Sequence, residues 1–413
     1  MKIPCYHALN LRIHLLFMRS LFRVQHSLLP PARRRLSSWL AALLVLVLAW
    51  LSVAAGPPIW KSNHPHPIRM TQGQILEQNA IVQGPQTQAR AGVMLDRTTR
   101  AILWQWNENE SLPMASVTKL MTVLVALETL SPDDVITVPA TALDIDPGYA
   151  RMGLQAGQRV QVMTLLYGAL LPSGNDAALA LAIAAAGDEK NFVEKMNQRA
   201  QEWGLTATHF VNPHGIDTPN HYASARDLAQ LALRALQNQL ITEIVATPEI
   251  NAEGFHLVNT NKLLTTYPGA YGVKTGTTDH AGQVLIGAAR RSGQGDVLTV
   301  LLDSPDRYAE TIGLMDFYFA HWIWIDAGLK QDVLNRASGP DGARYVLNTE
   351  PAPLLLPRWQ LQELRPMRII SFDTADQPWG LYQVWSGQDK LVELPIQFHK
   401  VNAENNQPPN TQQ

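Results

Sequence analysis

The hydrophobic positions of this chain follow a strand-like pattern in two regions that lie far apart in the sequence. In the first region, AGVMLD and AILWQWN flank the polar stretch 97–100, which predicts a β-hairpin. In the second region, YGVKTGTT, QVLIGAAR and DVLTVLLD predict three more strands. Two strands are therefore expected before, and three after, a middle segment of different character.

In that middle segment the apolar residues recur every three or four positions, which is the spacing of one helix face. Ser224 and Asp227 form a capping box at the start of one such helix. Helices are predicted at 114–130, 176–187, 189–203 and 225–240, and a closing helix at 308–322. This order of elements indicates an α+β domain over 89–328, built on one antiparallel sheet.

The sequence changes in character after Gly328. Residues 329–399 contain frequent Pro and Gly, short alternating runs and no helical period. That pattern predicts a small β-rich domain. The tail 400–413 is rich in Asn, Gln and Pro and is expected to be disordered.

The first 55 residues have the pattern of an export signal. Three arginines, 33–35, precede the charge-free apolar run 39–55. Such a run fits either a cleaved signal peptide or an uncleaved N-terminal membrane anchor, and both leave the rest of the chain in the periplasm or at the cell surface. Residues 56–88 are polar and contain five prolines, so a linker with little regular structure is expected there.

Composition limits the class of protein. With 46% apolar and 16% charged residues, the chain is neither disordered over most of its length nor a polytopic membrane protein. The net charge is −2, but residues 1–55 carry seven positive charges and no acid, which leaves −9 for residues 56–413. An acidic body argues against a nucleic-acid partner. The single cysteine, Cys5, excludes thiol chemistry from the folded part, and no metal or other cofactor is expected.

The first of three short motifs, Ser116-Val-Thr-Lys119, lies at the start of a predicted helix. Serine and lysine three positions apart share one helix face. The N-terminus of a helix favours a developing alkoxide, and a desolvated lysine can lose its proton and act as a base. The motif therefore suits an activated serine nucleophile.

Two further motifs follow in order. Ser173-Gly-Asn175 precedes the alanine-rich helix, where a hydroxyl can relay a proton and an amide can hold a peptide carbonyl. Lys274-Thr275-Gly276 lies in a predicted strand, where the cation and the hydroxyl suit a carboxylate and the glycine lets a substrate backbone approach. Each motif alone is more often an N-cap, a turn or a strand end. Their occurrence together favours catalysis.

Residues 89–327 resemble the serine-type D-alanyl-D-alanine carboxypeptidases, the low-molecular-mass penicillin-binding proteins of the β-lactamase-like superfamily. The resemblance includes the three motifs and longer stretches such as LLYGALLPSGNDAALALA and GVKTGTTDHAGQVLIGAARR. It implies a β-lactamase/transpeptidase-like fold in which helices pack on a five-stranded antiparallel sheet. The region 89–328 would then be the catalytic domain, followed by a β-rich domain as in many members.

The same resemblance implies a role for each motif residue. Ser116 would be the nucleophile and Lys119 its base, while Ser173 would pass the proton to the departing D-alanine. Backbone N–H groups of Ser116 and Thr277 would form the oxyanion hole. The residues implied in substrate binding are Asn175, Lys274, Thr275, Gly276 and Thr277.

The sequence thus predicts an exported D,D-carboxypeptidase that removes the terminal D-alanine from peptidoglycan stem peptides through an acyl-enzyme and is inhibited by β-lactams. Membrane contact is expected only through the N-terminal segment. Two alternatives stay open, a β-lactamase on the same fold and a non-catalytic cell-wall-binding scaffold. A β-lactamase would need a second base to activate the deacylating water, as in a Glu-x-x-x-Asn loop, and residues 205–240 contain no glutamate.

Overall fold

A computed structural model of the chain describes residues 72–332, 334–372 and 378–401. The apolar run 39–55 lies outside these ranges, so the export segment stays a prediction, as does the disorder of the tail beyond residue 401. Among the described residues, none of the helices has the length and apolar character that a bilayer span requires.

The described residues form nine α-helices, three 3₁₀ turns and seventeen strands. The helices are α1 (Gln72–Gln83), α2 (Lys119–Ala126), α3 (Val162–Leu170), α4 (Asn175–Ala186), α5 (Glu189–Glu202), α6 (Ala225–Ala235), α7 (Gln239–Ala246), α8 (Leu263–Thr266) and α9 (Arg307–His321). The 3₁₀ turns are Ala115–Thr118, Ala140–Leu143 and Arg358–Glu363. The strands before α9 are β1 (Ala91–Asp96), β2 (Ile102–Trp106), β3 (Val135–Thr137), β4 (Arg159–Gln161), β5 (Glu249–Ala252), β6 (Phe255–Val258), β7 (Ala270–Thr278), β8 (Gly282–Arg291) and β9 (Gly295–Ser304). Those after α9 are β10 (Trp322–Asp326), β11 (Arg336–Ser338), β12 (Arg344–Asn348), β13 (Pro353–Pro357), β14 (Leu364–Ser371), β15 (Trp379–Ser386), β16 (Asp389–Pro395) and β17 (Gln397–Lys400).

The five predicted strands form one antiparallel sheet in the order β2-β1-β9-β8-β7, which confirms the predicted fold class. Successive side chains of a strand point to opposite faces. Val93 of β1 and Val300 of β9 therefore pack into the main helical core, whereas Met94 and Leu301 face Met315 of α9 on the other side. Strand β7, which carries the third motif, lies at the edge of the sheet.

The expectation of little regular structure over 56–88 is wrong for residues 72–83, which form α1. No proline interrupts the chain between Pro67 and Pro85, and seven of the twelve residues of α1 are Gln, Leu, Glu or Ala, which favour a helix. Gly84, at φ +62°, ends the helix, and its N–H donates to the carbonyl of Ala80 at 2.8 Å.

The predicted helix 225–240 is in fact two helices. Ser224 caps α6 as predicted, because its Oγ accepts from the N–H of Asp227 at 3.1 Å. The helix ends at Ala235, and Asn238 starts α7 by accepting from the N–H of Ile241 at 3.3 Å. An asparagine side chain competes with the helical backbone for hydrogen bonds and so favours a new cap.

The closing helix ends at His321, one residue earlier than predicted, because Trp322 begins β10. The sequence WIWID is aromatic and β-branched, and β10 pairs antiparallel with β13 in the C-terminal region. The β-rich character of that region is confirmed by the sheets β11-β12-β17 and β14-β15-β16. Its own small core contains Leu347, Tyr382, Val384 and Ile396. The boundary at 328 stays a prediction.

Candidate active site

Ser116 lies in the 3₁₀ turn Ala115–Thr118, which runs directly into α2. Ala115 has a φ of +48°, in the left-handed region. The turn is held from below, because Thr118 Oγ1 donates to the carbonyl oxygen of Ala115 at 2.8 Å and contacts a ring nitrogen of His221 at 2.8 Å. A Cβ at Gly215 would clash with the same Ala115 carbonyl. The turn that carries Ser116 is therefore packed tightly against the residues around it.

Lys119 is completely buried, one helical turn below Ser116. Its Nζ lies 3.0 Å from Ser116 Oγ, 2.6 Å from Asn175 Oδ1 and 2.6 Å from the backbone oxygen of His214. The predicted pairing of Ser116 with Lys119 is thus present, and Asn175, 56 positions later in the chain, completes the contact.

Burial and the nearby charge of Lys274 hold the pKa of Lys119 well below its usual value, and the charge of Asp176 opposes this in part. A neutral amine has two N–H donors and one lone pair. The two shorter contacts, to Asn175 Oδ1 and the His214 carbonyl, can take both donors. The lone pair is then free to accept the proton of the Ser116 hydroxyl.

A second lysine–serine pair lies opposite the first. Lys274 on β7 donates from Nζ to Ser173 Oγ and to the Thr275 carbonyl, both at 3.0 Å. Ser173 has a φ of +66°, which turns the chain so that its hydroxyl meets β7 just before α4 begins. Burial and the charge of Arg307 lower the pKa of Lys274 to about 7.

The edge strand β7 passes close to the nucleophile. A Cβ built at Gly276 would lie 3.0 Å from the backbone nitrogen of Ser116 and 2.9 Å from Ala115 Cβ. Thr275 is buried, and its hydroxyl lies 2.6 Å from that of Thr260. Thr277 is exposed and marks the mouth of the site. The structure thus brings all eight predicted site residues together.

Two residues of the site were missed by sequence reasoning. Arg307, at the start of α9, donates from Nη1 to the Gly276 carbonyl and to Thr277 Oγ1, both at 2.8 Å. Thr260 joins the second and third motifs, since its N–H donates to the Leu171 carbonyl at 3.1 Å and its hydroxyl meets Thr275. Thr260 lies in NTNKLL, a stretch that also resembles the family, whereas Arg307 stands in no such pattern. Within the described ranges, no three His, Cys, Asp or Glu side chains are grouped to hold a metal ion.

Comparison with protein families and solved structures gives a consistent result. The profile of the D-alanyl-D-alanine carboxypeptidase family matches residues 78–306, more than half of the chain. The chain is similar to D-alanyl-D-alanine carboxypeptidase DacF of Bacillus subtilis, with 35% identity over 57% of this chain and 63% of that relative. The match thus spans less than two thirds of that relative's length. Similarity to DacA of Escherichia coli is 34% over 73% of this chain and 78% of the relative.

Solved structures show the same likeness. Penicillin binding protein 5 from Haemophilus influenzae superimposes with a TM-score of 0.61 and 26% identity, over 76% of this chain and 97% of that protein. The Streptomyces K15 DD-transpeptidase superimposes with a TM-score of 0.55 and 32% identity, over 57% of this chain and 98% of that enzyme. The first of these similarities extends beyond the five-stranded sheet into the C-terminal β-rich region.

Proposed function

Because the chain belongs to the D-alanyl-D-alanine carboxypeptidase family, we propose that it is an exported serine D,D-carboxypeptidase of peptidoglycan. It removes the terminal D-alanine from stem peptides through an acyl-enzyme on Ser116, and β-lactams inhibit it by acylating the same serine. The observation that carries the proposal is the buried Lys119 Nζ, 3.0 Å from Ser116 Oγ and held by two further oxygens.

Acylation begins at the Ser116 hydroxyl. Neutral Lys119 takes its proton, and Oγ attacks the carbonyl carbon of the penultimate D-alanine. The negative charge that develops on the carbonyl oxygen is stabilised by the backbone N–H groups of Ser116 and Thr277, close to the positive end of the turn that leads into α2. Asn175 holds the amide of the substrate and also orients Lys119.

The C–N bond of the peptide then breaks, and the nitrogen of the departing D-alanine needs a proton. Ser173 supplies this proton from its hydroxyl and is re-protonated through Lys274, 3.0 Å away. Water subsequently attacks the ester and gives its proton through Ser173 to neutral Lys274. Protonated Lys119 returns its proton to Ser116 Oγ as the ester C–O bond breaks, which releases the shortened peptide and restores both lysines and Ser116. Atoms balance over the cycle, since one water is consumed for each D-alanine released.

Recognition of the substrate's carboxyl end follows from charge. Lys274 and Arg307 supply two positive charges at the end of the site next to Thr275 and Thr277, and the hydroxyl of Thr275 adds a neutral donor. Lys274 is buried, and a buried cation binds a carboxylate strongly because little water competes there. A free C-terminal carboxylate is therefore the feature that distinguishes the substrate from other peptides.

Gly276→Ala tests whether the space above the Ser116 N–H is used by the substrate. The added methyl group would lie 3.0 Å from that nitrogen, so we expect acylation by labelled penicillin and release of D-alanine to fall by about 10²-fold, the cost of one lost oxyanion donor. Gly313→Ala is the matched control, because a Cβ there meets nothing within 4 Å on the exposed side of α9. Equal acylation rates for the two variants would show that Gly276 is not part of the substrate-binding site.

The fate of the acyl-enzyme tests the proposed function against a β-lactamase. Both enzymes would acylate Ser116, but a β-lactamase places a dedicated base beside the deacylating water, which is worth about 10²–10⁴-fold. Residues 205–240 contain no glutamate for that role. D-alanine also leaves the site after acylation, whereas a β-lactam remains tethered and blocks water. We expect fast turnover of a D-Ala-D-Ala peptide and a penicilloyl adduct that persists far longer.

The measurement is single-turnover mass spectrometry of both adducts on one preparation of the full chain. Penicilloyl hydrolysis as fast as peptide turnover would establish a β-lactamase instead. A chain that forms neither adduct would support the scaffold alternative.

Two parts of the proposal rest on the sequence. The N-terminal segment 1–55 would direct export and contact the membrane, either as a cleaved signal or as an anchor. The part of 56–88 that precedes α1 would separate the body of the protein from that segment, and the catalytic domain, 89–328, would be followed by the β-rich domain, 329–399. No nucleic acid or cofactor takes part in the proposed reaction.

A further inference from the structure

Asp176 is a buried carboxylate in the first turn of α4, next to Asn175, with only 1% of its surface exposed. Its Oδ1 accepts from the N–H groups of Met152 at 2.8 Å and Ala177 at 2.9 Å. Its Oδ2 accepts from Gly153 at 2.9 Å and Leu154 at 3.1 Å. Three of these four donors belong to a loop that precedes α3. Asp176 therefore does more than complement the positive end of its own helix.

The loop 150–154 is fastened to the second motif by two further contacts. The N–H of Asn175 donates to the Ala150 carbonyl at 2.9 Å, so the loop touches the residue that orients Lys119. Gly174 leaves room for the approach, since a Cβ there would lie 2.9 Å from both Met152 N and Asp176 Oδ1. Weakening the hydrogen bonds of Asp176 would consequently alter the position of Asn175.

The titratable groups that affect Lys119 lie on β7, on α4 and in the segment 205–224. Lys274 on β7 is positive below its pKa of about 7, while His214 and His221 in the 205–224 segment are neutral at physiological pH because burial lowers their pKa values to about 3 and 4. Asp176 on α4 is the carboxylate whose charge opposes that of Lys274. It forms no ion pair within 4 Å with a Lys, Arg or His of the described ranges.

We propose that Asp176 is a positioning residue for acyl transfer, which holds the loop 150–154 against Asn175, the residue whose Oδ1 accepts from Lys119 Nζ at 2.6 Å. The inference rests on the proposed function, because it concerns the base of that reaction. A carboxylate at this position has two separable effects. Its hydrogen bonds fix the geometry of Asn175, and its charge keeps Lys119 from becoming too weak a base.

Asp176→Asn in the full chain should change both effects. Loss of the charge lowers the pKa of Lys119 further, so the acid limb of the acylation pH profile should move to lower pH. The amide also offers an NH₂ group to backbone N–H donors, which disturbs the loop and should reduce the plateau rate by about 10–100-fold. The probe is the second-order rate of Ser116 labelling by a fluorescent penicillin between pH 4 and 10.

Asp227→Asn is the matched control. Asp227 is likewise buried in the first turn of α6 and accepts from Ala207 N and Thr208 Oγ1, both at 2.8 Å, but its charge is not among those that shift the pKa of Lys119. We expect a lower melting temperature for this variant and an unchanged acid limb. An Asp176→Asn profile that superimposes on that of Asp227→Asn would refute the proposal.

Asp176→Glu keeps the charge and alters the spacing, and it decides the question if Asp176→Asn does not fold. The acid limb should then stay at its wild-type pH while the plateau falls. A plateau rate of Asp176→Glu equal to that of the wild type would refute the anchoring role. A shift of its acid limb would refute the electrostatic role. Failure of the proposed function would look different, because the wild-type chain itself would neither be labelled nor release D-alanine.

Discussion

Ser116→Ala is expected to abolish both penicillin labelling and D-alanine release, with a loss of about 10⁶-fold, as when a serine protease loses its nucleophile. The variant should remain folded. Ser116 does not cap the turn with its side chain, and the residue before the turn is Met114. Its hydroxyl contacts Lys119, which keeps two other oxygen partners. The lost hydrogen bond should cost about 1 kcal/mol of unfolding free energy.

Ser131→Ala, at an exposed turn remote from the site, is the control and should behave as the wild type. The measurements are intact-mass detection of the adduct, D-alanine release and thermal unfolding. Wild-type release of D-alanine by Ser116→Ala would show that another group is the nucleophile.

Lys119→Arg should lose at least about 10³-fold in acylation, because a guanidinium stays protonated and cannot take the Ser116 proton. The larger head group also has to fit a completely buried position, so Lys119→Met serves as a second variant of similar length without a base. Both should be nearly inactive, whereas Lys195→Arg, a partly buried lysine on α5, should not. If both Lys119 variants acylated at the wild-type rate, the proton would have to leave through Ser173 or water.

The pH dependence of the wild type gives an independent check on the two lysines. Lys119 acts without its proton, so kcat/KM should rise as pH increases through a pKa well below that of a free lysine. Lys274 acts with its proton, and its pKa is about 7, so kcat/KM should fall again above that pH. When the substrate carboxylate is bound, it favours the charged form of Lys274. The fall of kcat on the basic side should therefore occur at a higher pH than the fall of kcat/KM. A kcat/KM that rises steadily to pH 10 would contradict both assignments.

The parts of the site that the sequence could reveal are those set by local geometry. Ser116 and Lys119 are three positions apart on one helix, so their contact follows from helical spacing. The contact between Ser173 and Lys274 joins residues 101 positions apart and depends on how β7 meets the start of α4. Only the family resemblance placed those two together. Neither helical spacing nor a family motif marked Arg307. A cation at a helix N-terminus is locally unfavourable, and its partners lie on β7.

The sequence predicted secondary structure best where the pattern of apolar and polar residues was long and the tertiary contacts favoured the same structure. The strands β7, β8 and β9 are nine or ten residues long, and they were found within two residues of their ends. The helix α1 was missed because surrounding prolines suggested a linker over the whole segment. The early end of α9 was missed because Trp322 fits both a helix face and a strand, and its pairing with Pro357 decides between them.

The pairing of β10 with β13 limits where the chain can be divided. A fragment that ends at residue 328 would retain β10 but lose β13, its hydrogen-bonded neighbour. The segment Trp322–Asp326 would be left unpaired, with the backbone groups on both of its edges open, and it carries two tryptophans and two isoleucines. Such edges pair readily with copies of themselves, so the isolated catalytic region should aggregate unless β10 is removed or its apolar residues are replaced by charged ones.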